Sequence, residues 1–316
     1  MKKGLKIIIG AVLVIIILAA GILTYIVGKG VFDGATNLTS REETVKNMEL
    51  YQNEYEAFIK KYNIDKYEVQ HVASQVDGHG IPILSVENEN TNNYAVLIHG
   101  LGGTKESVTD VMEIFIDLGY NVVSYDQRNS GTNMEEYNTF GVLESLDARD
   151  VVSYARDRAK DGQVVLWGES LGGATAAMAL GRDEKNIDFL ILDSSVSDSN
   201  ELMKPHIEKY SKEYNIPYDY MLWAGSLYTK AKLGFSFKDI NAADYLKETT
   251  KPVLIISGDK DILTPPSMAQ ELYEAVPHDD KELFTAKGYG HCEFVKKDPK
   301  SYEEVIKSFL MKYAVK

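Results

Sequence analysis

The sequence predicts an α/β protein: a mostly parallel, eight-stranded sheet with helices on both faces, a small helical cap and one transmembrane helix at the N-terminus. Three observations carry this. From about residue 65 onward, short apolar runs alternate with stretches of helical period. Most of those runs are apolar at successive positions, the pattern of strands buried on both faces. Residues 7–27 form a run of 21 positions without a charge, about the length that crosses a bilayer.

Taken in order, "MKKGLK" sets Lys2, Lys3 and Lys6 before the long apolar run, and such lysines stay on the cytoplasmic side. The run exceeds the apolar core of a signal peptide, about 7–15 residues. An uncleaved anchor is therefore expected over residues 1–30, with the rest of the chain extracellular. Residues 28–40, "GKGVFDGATNLTS", read as a tether. From Arg41 to Lys61, Val45, Met48, Tyr51, Tyr55, Phe58 and Ile59 recur at helical steps and predict an amphipathic helix. Tether and helix make up residues 31–64.

The third region is 65–316. "YEVQHVAS" and "IPILSVE" predict two strands around the turn "DGHG". "YAVLIHG" (94–100) and "NVVSYD" (121–126) follow, separated by a helix over 105–118. A helix over 142–160 leads to the strand "QVVLWG" (163–168), and "LGGATAAMALG" supplies small helix formers after Ser170. "IDFLILDSS" (187–195), "KPVLIISGD" (251–259) and "KELFTAKG" (281–288) are the remaining strands, with helices near 268–275 and from 299. Between 198 and 245 the alternation stops, and aromatic residues crowd helix-like stretches. An insertion of that size reads as a cap.

Charge excludes some partners. Residues 31–316 carry 30 basic against 47 acidic groups, a net charge of −17, which argues against nucleic acid. The single cysteine, Cys292, rules out an intramolecular disulfide, and the six histidines lack metal-ligand spacing. No metal and no cofactor are expected. The expected partners are a small ester or short acyl or peptide substrate, and the membrane through the N-terminal helix.

Acyl transfer needs a nucleophile, a base, a group to orient the base, and donors for an oxyanion. Each has a candidate just after its own predicted strand. Ser170 in "GESLGG" has the strand-turn-helix setting of a nucleophile elbow. Asp261 lies in "SGDKDILTP", His291 in "KGYGHCEF", and "HGLGG" (99–103) can turn backbone amides toward a bound oxygen. Asp193, ending the preceding strand, is the rival acid. Cys292 has no oxyanion motif aimed at it and reads as a packing residue.

In these motifs, and in "YDQRNSG", the sequence resembles the α/β-hydrolases over about residues 65–316. Within that superfamily it is similar to membrane-anchored bacterial serine hydrolases near the serine aminopeptidase and monoglyceride lipase branches. The resemblance implies Ser170 as nucleophile, His291 as general base and then acid, and Asp261 as orienting carboxylate. It implies an oxyanion hole from the backbone amides of Leu101 and Leu171. Asn129 departs from the common "D-x-R-G-x-G-x-S", and Arg128 is read as structural.

The expected activity is cleavage of a carboxylic ester through an acyl-enzyme. A serine peptidase using the same triad is the alternative, and a catalytically silent binding protein is the alternative from another class. Tyr220 and Trp223 in the cap are the candidate substrate-binding side chains, because aromatic rings join apolar area to a polar tip.

Overall fold

The computed structural model describes residues 2–64 and 70–314. The start of the first expected strand, at 67–69, lies outside the described residues. The chain forms two compact units, Met1–Leu38 with Asn200–Asp239, and Thr39–Ser199 with Ile240–Lys316.

Helix α1 runs over Lys2–Thr36 without a break, so the tether expected from residue 28 is corrected to helix as far as Thr36. The local signal misled because it came from glycines. Gly28 is needed for close packing: a Cβ there would lie 3.0 Å from the Cβ of Tyr228 and against the backbone of Ala224. Among the described residues, α1 is the helix long and apolar enough to cross a membrane.

In the second unit, α2 (Arg41–Met48) begins at a capping box in which Ser40 and Glu43 satisfy each other's backbone amides. A 3₁₀ turn leads into α3 (Gln52–Tyr62), whose Phe58 and Ile59 enter the main core. The amphipathic helix thus packs on the α/β unit. Strands β1 (Gln70–Ala73) and β2 (Gly80–Val86) form a hairpin, followed by β3 (Tyr94–Ile98), α4 (Thr109–Asp117) and β4 (Asn121–Tyr125). Helix α5 (Glu144–Ala159), β5 (Val164–Glu169), α6 (Leu171–Arg182) and β6 (Phe189–Asp193) come next. Helices α7 (Asn200–Tyr214) and α8 (Tyr218–Leu233) interrupt them and belong to the first unit. Then come β7 (Val253–Gly258), α9 (Pro266–Ala275), β8 (Lys281–Ala286), α10 (Phe294–Lys297) and α11 (Pro299–Tyr313).

The eight strands form one sheet in the order β1-β2-β4-β3-β5-β6-β7-β8. It is antiparallel through β2 and parallel from β4 to β8. Strands β3, β4, β6 and β7 are buried along their whole length, as helices on both faces require. The core on one face gathers Leu97, Trp167, Ile191 and Ile256 with Phe115 of α4 and Phe309 of α11. Register sets the site. Ile98 pairs with Gly168, Glu169 with Asp193, and Gly258 with Ala286, so the loops after β3, β5, β6, β7 and β8 leave from one edge of the sheet.

Candidate active site

Ser170 sits between β5 and α6 at φ 53°, ψ −122°, a strained backbone for a side-chain-bearing residue. The glycines around it make room. Gly168 lies against the carbonyl of Gly172, and Gly172 against the carbonyls of Ile98 and His99. A Cβ on Gly173 would stand 2.5 Å from the Ser195 hydroxyl. Thus Gly168 relieves the elbow itself, while Gly172 and Gly173 let α6 close onto the ends of β3 and β6.

The Ser170 Oγ lies 3.0 Å from His291 Nε2, and His291 Nδ1 lies 2.8 Å from Asp261 Oδ2. Nδ1–H donating to the carboxylate leaves Nε2 free to accept the serine proton. Asp261 is fixed from several sides: the amides of Leu263 and Thr264 each donate to Oδ1 at 2.9 Å, and the Thr264 hydroxyl is 2.7 Å from Oδ2. Burial works to raise the pKa of Asp261, but the bonds from His291 and Thr264 hold it below the usual carboxylate range. Asp193 is engaged elsewhere. Tyr302 donates its hydroxyl to Asp193 at 2.9 Å and accepts from Trp167 Nε1, also at 2.9 Å. Burial pushes Asp193 up to about 6.

Leu101 lies in the loop after β3, and Leu171 is the first residue of α6. The first amides of a helix have no carbonyl one turn behind them, so the Leu171 N–H is available at the elbow. The Leu101 loop is held against Ser170, since a Cβ on Gly100 would stand 3.1 Å from that of Ser170. Buried His99 braces the loop: its Nδ1 lies 2.7 Å from Gly100 O, and its Nε2 accepts from the Gln127 amide at 3.1 Å. Burial lowers the His99 pKa, which favours the neutral ring that this pairing needs.

Beside Ser170 lies a cavity of about 320 Å³ whose walls include Asn47, Tyr51, Glu169 and Lys296. None of these four was expected at the site. Glu169 had a signal, as the middle residue of the elbow motif; Asn47 and Tyr51, from the amphipathic segment, had none. Asn47 Nδ2 donates to Gly102 O at 3.1 Å, tying α2 to the loop of Leu101. Lys296 Nζ lies 5.1 Å over the Tyr51 ring. Burial, and then the neighbouring Asp110 charge, raise Glu169 to about 7. Burial raises Cys292 well above the ordinary thiol value, which disfavours a thiolate.

Other expected residues have their own places. Arg128 pairs with Asp77, Glu135 and Asp147 at 2.9, 3.2 and 2.7 Å, a structural role. Asp77, His79 and Glu135 lie close enough to share a metal, but the guanidinium of Arg128 already faces both carboxylates. Asn129 takes φ 56°, a left-handed conformation that asparagine tolerates in place of glycine. Tyr220 and Trp223 lie on α8 in the first unit. Their rings are 5.8 Å apart, and the Tyr220 hydroxyl shares a 2.8 Å hydrogen bond with Thr24.

Comparison with known proteins defines the class. A family model for the alpha/beta hydrolase fold matches residues 96–219, and one for TAP-like proteins matches residues 234–315. The chain belongs to the α/β-hydrolase superfamily. Among its relatives is the uncharacterized protein YqkD of Bacillus subtilis, 26% identical over 235 residues, covering 74% of this chain and 76% of the relative. Another is the uncharacterized membrane protein YNL320W of Saccharomyces cerevisiae, 24% identical over 229 residues, covering 72% of this chain and 73% of the relative. The Pyrococcus furiosus esterase Pf2001 superposes with a TM-score of 0.64 at 21% identity, over 81% of this chain and 95% of that one.

Proposed function

We propose that this chain is a membrane-tethered serine hydrolase that cleaves a carboxylic ester. The observation that carries the reading is the continuous path from Ser170 Oγ through His291 to Asp261, beside a cavity and next to two backbone amides. In this mechanism Ser170 Oγ attacks the ester carbonyl carbon while His291 Nε2 takes the hydroxyl proton. The carbonyl oxygen becomes an oxyanion held by the amides of Leu101 and Leu171. Collapse breaks the bond to the leaving oxygen, which receives the proton from His291, and the acyl group stays on Ser170. Water then attacks the acyl-enzyme, giving its proton to His291, and the acid is released as that proton returns to Ser170. Asp261 holds the imidazole in the required tautomer and stabilises the imidazolium.

A serine peptidase would use the same groups; the ester reading is preferred because the similar Pf2001 fold is that of an esterase. A silent binding protein would have no need of a strained serine aligned with a histidine and a buried carboxylate. Labelling by a fluorophosphonate that is lost in Ser170→Ala would support the hydrolase reading, and absence of labelling would point to the silent protein. A chain-length series of chromogenic esters run against aminoacyl anilides separates esterase from peptidase. In this reading Tyr220 and Trp223 influence acyl preference. Replacing either with alanine is expected to change the chain-length ranking by a factor worth about 1–3 kcal/mol, and an unchanged ranking would make them cap core.

The apolar helix α1 and the membrane-named yeast relative support an anchor. The lysines before the uncharged run favour an inside N-terminus and an extracellular hydrolase unit. Protease added to intact protoplasts is expected to remove that unit; full protection would reverse the orientation.

A further inference from the structure

In the unit formed by Met1–Leu38 and Asn200–Asp239, α1 and α8 run side by side in parallel. Thr24 meets Tyr220, and the rings of Tyr25 and Phe32 lie 5.6 and 5.3 Å from Tyr228. Small residues bring the two helices close, since a Cβ on Gly225 would stand 2.9 Å from the Cβ of Val31. Beside this seam, α1, α7 and α8 enclose a cavity of about 380 Å³, within the roughly 300–1,000 Å³ of pockets that take small ligands.

The α1 wall of that cavity extends from Leu23 to Ala35, and Leu38, just past the helix, continues it. Leu23, Ile26 and Val27 belong to the uncharged run, whereas Gly30 and the residues after it lie beyond its end. The cavity therefore straddles the level at which the run stops. Buried Met203 and Ile207 of α7 and Met221 of α8 close the opposite side, and among the described residues no Asp, Glu, Lys or Arg lines it. His206, Tyr210 and Tyr214, exposed at four-residue steps on α7, also border it, with the two tyrosine rings stacked at 6.2 Å.

We infer that this cavity holds one acyl chain of a bilayer lipid, with the lipid's polar end at the His206, Tyr210 and Tyr214 edge. The inference rests on the membrane-anchor reading proposed above. Three features select this occupant. Away from the His206, Tyr210 and Tyr214 edge the lining is apolar, so water gains few partners in it. One wall is the helix whose exposed isoleucine, leucine and valine side chains themselves call for lipid. Its border carries rings with polar tips, the side chains that settle at the membrane–water boundary. A polar ligand would find no contact in the lining beyond those rings.

Photolabelling tests it. The full-length chain is reconstituted in phosphatidylglycerol/phosphatidylethanolamine vesicles containing a phosphatidylcholine with a diazirine midway along one acyl chain, and adducts are mapped by peptide mass spectrometry. Adducts are expected over residues 7–22, where lipid surrounds the anchor, and over residues 203–221. A Cβ on Gly34 or Gly30 meets nothing within 4 Å, so Gly34→Phe and the smaller Gly30→Leu fill open space. Each is expected to lower the 203–221 adducts at least about 5-fold, given the loss of a pocket-sized apolar site, and to leave those over 7–22 unchanged. Wild-type adducts that spare 203–221, or that persist there in both variants, overturn the proposal while the anchor stands. No adducts over 7–22 would overturn the anchor reading and the cavity assignment with it.

Discussion

Asn47, on α2, donates its side-chain amide to the carbonyl oxygen of Gly102 at 3.1 Å. This bond makes a segment outside the sheet part of the wall beside Ser170. It restrains the loop that contains Leu101. A neutral hydrogen bond contributes about 0.5–1.5 kcal/mol. Asn47→Ala and Asn47→Asp, which both lose the donor, are therefore expected to lower kcat roughly 2- to 10-fold, by the same energy. Steady-state kinetics on a short chromogenic ester checks this, and wild-type kcat in both variants would leave Asn47 as a surface contact.

In the proposed mechanism Ser170 and His291 act as one device. Ser170→Ala is expected to cost on the order of 10⁴-fold or more in kcat, His291→Ala about as much, and the double variant little more than either. The measurement is a double-mutant cycle on folded protein. Additive losses would mean that the 3.0 Å contact between them does not serve the reaction.

The two carboxylates should part company. Asp261→Asn presents an amide to His291 Nδ1 and disturbs the tautomer, so turnover is expected to fall by about 10³- to 10⁴-fold. Asp193→Asn disturbs the bond from Tyr302 and is expected to affect stability before activity. Paired kcat and Tm measurements test the ranking, and the reverse order would move the orienting role to Asp193.

Glu169 sets a pH dependence of stability. Its folded pKa, about 7, lies above the ordinary carboxylate value, so between roughly pH 4.5 and 7 the folded state binds more protons than the unfolded one. The contribution of Glu169 therefore falls as pH rises through that window, by on the order of 1–3 kcal/mol. Glu169→Gln is expected to flatten this part of the curve and to raise Tm relative to wild type at pH 8 more than at pH 5. Parallel Tm profiles for the two proteins would show that Glu169 stays charged in the folded state.

The sequence by itself determined the eight strands, the helical insertion between β6 and β7, and the positions of Ser170, Asp261 and His291 just after their own strands. Strands covered on both faces must be apolar at successive positions, and a sharp elbow needs glycines where no Cβ fits. Such requirements are local, and a linear reading recovers them. The choice between Asp193 and Asp261 was not local. Asp193 ends β6 and Asp261 lies three residues past the end of β7; the folded chain sets Asp261 at 2.8 Å from His291 Nδ1, while Tyr302, 109 residues from Asp193 in sequence, donates to Asp193. Nor could the sequence place Asn47, whose carbonyl partner is 55 residues distant. Helix α1 was decided in the same way. Gly28 weakens a helix by propensity, yet it is what lets α8 approach, and packing outweighed the local preference. Contacts between residues far apart in the chain carry energies comparable to these propensities, and only the folded chain brings those residues together.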